Sequence, residues 1–160
     1  MPLKPKILIA DDSAMNRAIL VEMLGDGYDI LEAENGREAV QILQGGSEID
    51  LLLLDITMPE MDGFAVLEQM KRCGWIEEVP VIMISAENDS AYVERAYDMG
   101  ATDFISRPFD MAIVRRRVTN TLMLYTKQKQ LVGLVAKQVY ENQKSNNLMI
   151  SILSHIVEFR

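Results

Sequence analysis

The sequence predicts an α/β fold: a doubly wound parallel sheet of five strands with helices on both faces, followed by a long C-terminal helix. Three observations carry this. Five short apolar runs in the first two thirds of the 160-residue chain alternate with stretches of helical spacing, and repeated strand-helix alternation means right-handed crossovers and a parallel sheet. Ile49 to Leu54 is almost continuously aliphatic, which suits a central strand buried on both faces. Four of the runs lead into charged or hydroxylated residues: Ile7-Leu8-Ile9-Ala10 into Asp11-Asp12, Leu51 to Leu54 into Asp55, Val81 to Ile84 into Ser85, and Asp103-Phe104-Ile105 towards Arg107. In parallel strands those residues all open onto one sheet edge, where open α/β sheets place their ligands.

The elements follow in order. After the first strand, Ser13 is an N-cap for a helix through about Leu24, stopped by Gly25 and Gly27. Tyr28 to Ala33 is extended. Gly36 to Gln44 is helical by the spacing of Ala39, Val40 and Leu43, and Gly45-Gly46 ends it. Ile49 to Leu54 is the third strand, and Asp62 caps a helix from Gly63 to about Cys73. Val79 to Ile84 is the fourth strand, Ser90 to Met99 a helix stopped by Gly100, and Thr102 to Ile105 the fifth strand. Pro108 then opens the last helix.

Composition excludes several classes. No apolar stretch approaches membrane-spanning length, and Met1 to Lys6 leaves no room for a signal peptide before the first strand, so a cytoplasmic location is expected. Cys73, the single cysteine, forms no internal disulfide, is expected to be half-buried, and with the single His155 builds no structural zinc site. A net charge of −8 argues against direct nucleic-acid contact by this segment. Arg115-Arg116-Arg117 reads as a solvated helix face.

Four motifs in order, Ile7 to Ser13, Asp55-Ile56-Thr57-Met58-Pro59-Glu60-Met61-Asp62-Gly63, Ser85-Ala86 and Phe104-Ile105-Ser106-Arg107-Pro108-Phe109, resemble the landmarks of a bacterial two-component response-regulator receiver domain. The resemblance covers residues 5–122. It implies the flavodoxin-like strand order 2-1-3-4-5, which makes the first and third strands neighbours. Asp11, Asp12 and Asp55 then emerge side by side, and three carboxylates that close repel one another. A divalent cation relieves that repulsion, and an all-oxygen site with room for water and phosphate suits Mg²⁺. By resemblance, Asp12, Asp55 and the Thr57 carbonyl ligate the metal directly, and Asp11 acts largely through water.

The resemblance also makes Asp55 the phosphoacceptor, taking a phosphoryl group from a phosphohistidine on a sensor histidine kinase. Carboxylates accept phosphoryl groups when metal and cations balance the charge on the transferring oxygens. Ser85 supplies a hydroxyl and Arg107 a cation. Ser85 and Phe104 hold the switch positions, read out through the fourth helix, fifth strand and fifth helix. Thr57 and Glu87 lie where they tune water access. The resemblance further implies a cis Arg107-Pro108 bond. At Arg107 the chain departs from the family, which carries lysine; a guanidinium is a planar fork, bulkier than an ammonium. Arg107 is expected to pair with Asp55 when phosphate is absent. The alternative reading is a pseudo-receiver, a phosphorylation-independent interaction module. A flavin- or nucleotide-binding protein is disfavoured because no glycine-rich phosphate loop follows the first strand.

Residues 123–160 form a separate helical linker in this reading. Val118, Thr121, Tyr125, Gln128, Val132, Val135, Val139, Asn142, Asn146, Met149, Leu153 and Ile156 follow alternating three- and four-residue steps, a heptad seam that predicts a two-stranded coiled coil and a homodimer. A helix folding back at Gly133 or Ser145-Asn146-Asn147 is the alternative. Leu148 to Arg160 resembles the helix that introduces HD-type phosphodiesterase domains, which implies an output domain beyond Arg160. Ser154-His155 also resembles the phosphoacceptor helix of histidine kinases, but Ile156 stands where an acidic residue should follow, so His155 is expected to be a bystander.

Overall fold

Strands β1 (Lys6–Ala10), β2 (Asp29–Ala33), β3 (Leu51–Asp55), β4 (Val81–Ser85) and β5 (Asp103–Ser106) form one parallel sheet in the order β2-β1-β3-β4-β5. This is a computed structural model, and it describes residues 3–86 and 90–158, with side chains through His155. The expected fold class and strand order are both present. Helices α1 (Ala14–Leu24), α2 (Gly36–Gln44), α3 (Gly63–Cys73), α4 (Ser90–Asp98) and α5 (Met111–Glu158) connect or follow the strands, with short 3₁₀ turns at Gly25–Gly27 and Trp75–Glu77.

Strand side chains alternate between two buried layers, as period-2 geometry requires. Leu8, Ala10, Leu52, Leu54, Val81 and Met83 pack with Ala39 of α2, Leu67 of α3 and Ala96 of α4. Ile7, Ile9, Leu51, Leu53, Ile82 and Ile84 pack with Leu20 of α1 and Val114 and Val118 of α5. β3 is buried at every position, which explains its lack of polar alternation.

Ser13 and Asp62 cap α1 and α3 as expected, accepting from Asn16 N at 3.3 Å and Ala65 N at 2.8 Å. Asn35 also caps α2, accepting from Glu38 N at 2.8 Å. Three strands run later than the sequence suggested, and each shift has a local cause. β4 begins after Pro80, which has no N–H for the ladder. β3 extends to Asp55, which pairs in register with Ile84. β5 continues to Ser106, paired with Ser85. The last helix begins at Met111 rather than at Pro108, because Asp110 Oδ1 accepts from Ala112 N and Ile113 N and so forms its cap. Arg107-Pro108 is cis.

Two expectations need correction. Cys73 is exposed rather than half-buried, since it lies on the last turn of α3 away from the sheet. Arg115-Arg116-Arg117 is not only a solvated face: Arg115 Nε donates to the Met23 carbonyl at 2.7 Å, and Arg117 lies 3.7 Å from Asp103.

The chain divides into two compact units, Met1–Leu122 and Met123–Arg160. Helix α5 is unbroken at Gly133 and at Ser145 to Asn147. The first two positions of the proposed seam, Val118 and Thr121, are 0% and 4% exposed, so the core of the first unit occupies them and they are not available to a partner helix. In the second unit Val132, Val135, Val139, Met149 and Leu153 are all more than half exposed. Among the described residues no helix is long and apolar enough to cross a membrane.

Gly63 opens α3 so close to β3 that a Cβ there would collide with the Asp55 carbonyl oxygen and lie 2.9 Å from the Ile56 Cα. Both obstacles are backbone and cannot rotate away. Gly63→Ala is therefore expected to destabilise the protein by about 1–3 kcal/mol, the usual cost of overpacking. Urea denaturation measures this, and an unchanged midpoint would show that the β3–α3 loop yields freely.

Candidate functional site: an acidic cluster at the sheet edge

The carboxyl ends of β1 and β3 bring together the three acidic side chains that the sequence singled out. Ala10 pairs in register with Leu54, so Asp11 and Asp55 leave adjacent strands at the same level. One carboxylate oxygen each from Asp11, Asp12 and Asp55 lies within 4.8 Å of the others. Asp11 and Asp55 are 0% and 1% exposed, whereas Asp12 reaches solvent.

Hydrogen bonding leaves each buried carboxylate half-satisfied. Asp11 Oδ1 accepts from Ser13 N at 2.8 Å, and Asp11 Oδ2 has no partner. Asp55 Oδ1 accepts from Arg107 Nη2 at 2.6 Å and from Thr57 N at 3.4 Å, and Asp55 Oδ2 likewise has none. Arg107 thus sits where its expected pairing put it, and its buried Nε is also unpartnered. Each buried carboxylate of the cluster thus leaves one oxygen orphaned, and an oxygen-ligated cation would satisfy both. The donor set fits Mg²⁺, with all-oxygen ligands and an exposed Asp12 side open to water.

Electrostatics reflect the crowding. Burial, and then the nearby Asp11 charge, push the Asp55 carboxyl up to about 7, against the pull of Arg107 and the Thr57 N–H. Burial also raises Asp11, opposed by the Ser13 N–H and by Arg107.

Ser85 ends β4, buried, and its carbonyl accepts from Arg107 N at 2.8 Å, which ties the residue to the β5–α5 loop. Phe104 is 8% exposed and packs in the layer with α3 and α4, where it also borders an open groove with Val93, Glu94 and Tyr97 of α4. Thr57 is exposed, and Glu87 lies outside the described residues. Glu60, in the loop after Asp55, takes a positive φ of 66° while Met61 N donates to the Pro59 carbonyl at 2.7 Å, a tight turn unfavourable for a residue with a Cβ.

Sequence reasoning missed Arg17. It is 8% exposed, and its guanidinium contacts the Asp11 carbonyl and Glu32. A signal was present: Arg17, Leu20 and Leu24 lie on one face of α1, so a charge falls on a core-facing stripe.

A doubly wound parallel sheet that ends in an acidic cluster, with the partly exposed Arg107 paired to Asp55, defines an α/β protein whose site lies at the carboxyl edge of the sheet. The comparisons identify which one. Residues 7–119 match the family profile described as "Response regulator receiver domain", and the chain belongs to that family. A two-component response regulator of rice (Oryza sativa subsp. indica) is 29% identical over 75% of this chain and 92% of its own length. A Vibrio cholerae protein bearing the name "Probable cyclic di-GMP phosphodiesterase" is 30% identical over 96% of this chain, which spans only 36% of that relative. Among solved structures, chemotaxis response regulator CheY4 of Vibrio cholerae superposes with a TM-score of 0.69 at 26% identity, over 74% of this chain and 99% of its own.

The raised Asp55 value has a defined consequence for stability without metal. The folded carboxyl keeps its proton up to about pH 7, whereas an unfolded one releases it near its ordinary value of 3.8. The folded state therefore binds more protons between these values, and this contribution to stability, complete below the lower value, is lost as pH rises through about 7. Asp55→Asn cannot ionise. In EDTA, its stability relative to the parent is expected to be greater at pH 8 than at pH 5, read from urea midpoints. An equal difference at both pH values would mean that Asp55 is ionised throughout.

Proposed function

We propose that this chain is a phosphorylation-controlled receiver that accepts a phosphoryl group on Asp55 from a phosphohistidine of a sensor kinase. The observation that carries the reading is the Asp11, Asp12 and Asp55 cluster with Arg107 on Asp55. Asp12, Asp55 and the Thr57 carbonyl would hold Mg²⁺, with Asp11 acting largely through water. Bound there, Mg²⁺ supplies positive charge to the acid cluster and to the oxygens of the transferring group.

The chain's own residues do the rest. An ionised Asp55 oxygen attacks phosphorus, the bond from phosphorus to the imidazole nitrogen breaks, and an acyl phosphate forms on Asp55. Arg107, freed from its ion pair with Asp55, moves to a phosphoryl oxygen. Ser85 donates its hydroxyl to another, and Phe104 repacks into the space that Ser85 leaves. The readout face is α4, β5 and the start of α5, a reading supported by the groove beside Phe104.

The second unit of the chain serves as a dimerising helix. Val132, Val135 and Val139 form an exposed stripe at heptad spacing, and Gln128, Asn142 and Asn146 set register. An HD-type phosphodiesterase is the output domain we favour, on the resemblance of Leu148 to Arg160; the similarity to the Vibrio cholerae relative, named a probable cyclic di-GMP phosphodiesterase, spans 96% of this chain.

Mg²⁺ with a small phosphodonor is expected to add one phosphoryl group to the parent and none to Asp55→Asn, read by intact mass. Modification of that variant would place the site elsewhere. Arg107→Lys is expected to phosphorylate faster than the parent under one donor and one Mg²⁺ concentration, because the smaller ammonium has less to withdraw. An inert parent beside an active lysine variant would establish the pseudo-receiver reading, and a faster parent would make the arginine an adapted substitute.

Truncation after Leu122 is expected to convert a dimer to a monomer in light scattering. A monomeric full chain at high micromolar concentration would refute the coiled coil.

A further inference from the structure

Arg17 is a nearly buried charge that the phosphotransfer scheme leaves unused. It projects from the first turns of α1 towards the end of β1, and three groups surround its guanidinium. Nη1 donates to the backbone carbonyl of Asp11, Nε donates to Glu32 Oε1 at 3.0 Å, and Nη2 lies 3.9 Å from Glu34 Oε1. Glu32 belongs to β2 and Glu34 to the loop after it, so the side chain links the edge strand to the loop that carries the acid pair.

The bond to the Asp11 carbonyl completes a pattern. Asp11 N donates to the Ala33 carbonyl at 3.1 Å, Asp11 Oδ1 accepts from Ser13 N at 2.8 Å, and the Asp11 carbonyl accepts from Arg17. Every polar atom of Asp11 is thereby committed except Oδ2, the buried oxygen that has no partner. The Asp11 carbonyl lies in the rigid peptide plane that joins Asp11 to Asp12, so its orientation also constrains where the Asp12 Cα, and with it the Asp12 side chain, is placed.

We propose that Arg17 is a positioning residue for the divalent-cation site: by gripping the Asp11–Asp12 peptide plane, it aims both carboxylates at a shared cation. Glu32 in turn holds the guanidinium in place. The inference rests on the cation reading given under Proposed function.

Two effects of opposite sign make it testable. As a bare positive charge near an acid cluster, Arg17 repels a cation, so its removal would tighten cation binding. As a clamp it preorganises the ligands, so its removal loosens binding; loss of such outer partners typically costs about 10–100-fold in metal affinity. The clamp is expected to win, because a fork that bridges a carbonyl and a carboxylate fixes geometry that no distant charge can restore.

The experiment is calorimetric titration of the full chain with Mg²⁺ for the parent, Arg17→Met and Arg17→Lys. Urea denaturation in EDTA checks that each protein is folded at the titration temperature. Arg17→Met is expected to bind Mg²⁺ about tenfold more weakly, and Arg17→Lys, which keeps the charge but not the fork, to be weakened by a smaller factor. Unchanged or tighter binding by Arg17→Met overturns the inference. Should Arg17→Met fail to fold, the lysine variant decides: its charge is the parent's, so unchanged affinity overturns the proposal and weaker binding supports it. A parent that binds no Mg²⁺ overturns the cation reading together with this inference, whereas a binding parent with unaffected variants overturns the inference alone.

Discussion

Two carboxylates buried side by side at the end of a parallel sheet are the constraint on which the rest of the structure depends. Asp11 and Asp55 are shielded from water yet lie within 4.8 Å of each other and of Asp12, and two of their oxygens accept no hydrogen bond. Dry, like-charged groups at that separation cannot all stay ionised without compensation. Arg107 provides part of it through a 2.6 Å contact with Asp55, and a raised affinity for protons provides more.

Close backbone packing frames that edge. Gly63 lets α3 start directly against the Asp55 backbone, and Gly36 lets α2 start against the Met61 carbonyl. Glu60 accepts a positive φ to make the turn between them. On the other side of α3, Arg95 of α4 lies 4.1 Å above the Phe64 ring, and Tyr92 packs against the same ring. Phe64 follows Gly63 directly, so the anchor of α4 is one residue from the helix start that frames Asp55. A short run of packed residues therefore connects the Asp55 backbone with α4.

The long last helix has two characters that its sequence pattern alone does not separate. Val118 and Thr121 fit the heptad spacing, but they are buried against the sheet. From Leu131 to Leu153 the apolar positions are exposed, and from Leu148 to Leu153 they occupy nearly every side of the helix. A strict two-stranded seam covers only the a and d positions. In that last stretch the exposed apolar residues exceed what such a seam would cover.

Much of the fold was legible in the sequence because it rests on local and periodic signals. Apolar runs of strand length, glycine stops and the caps at Ser13 and Asp62 place the elements, and the motifs around Asp11, Asp55, Ser85 and Arg107 identify the family. Strand boundaries differ from the sequence expectation by one or two residues because backbone pairing, as of Asp55 with Ile84 or Ser85 with Ser106, depends on the neighbouring strand. The sequence could list three carboxylates and a cation. Only the tertiary structure determined which oxygens are left unpartnered, because that depends on the N–H groups of Ser13 and Thr57 and on the reach of Arg107 across the sheet. It also revealed Arg17: an arginine in a helix reads as surface charge until chain folding sets a buried carbonyl and Glu32 from another strand beside it.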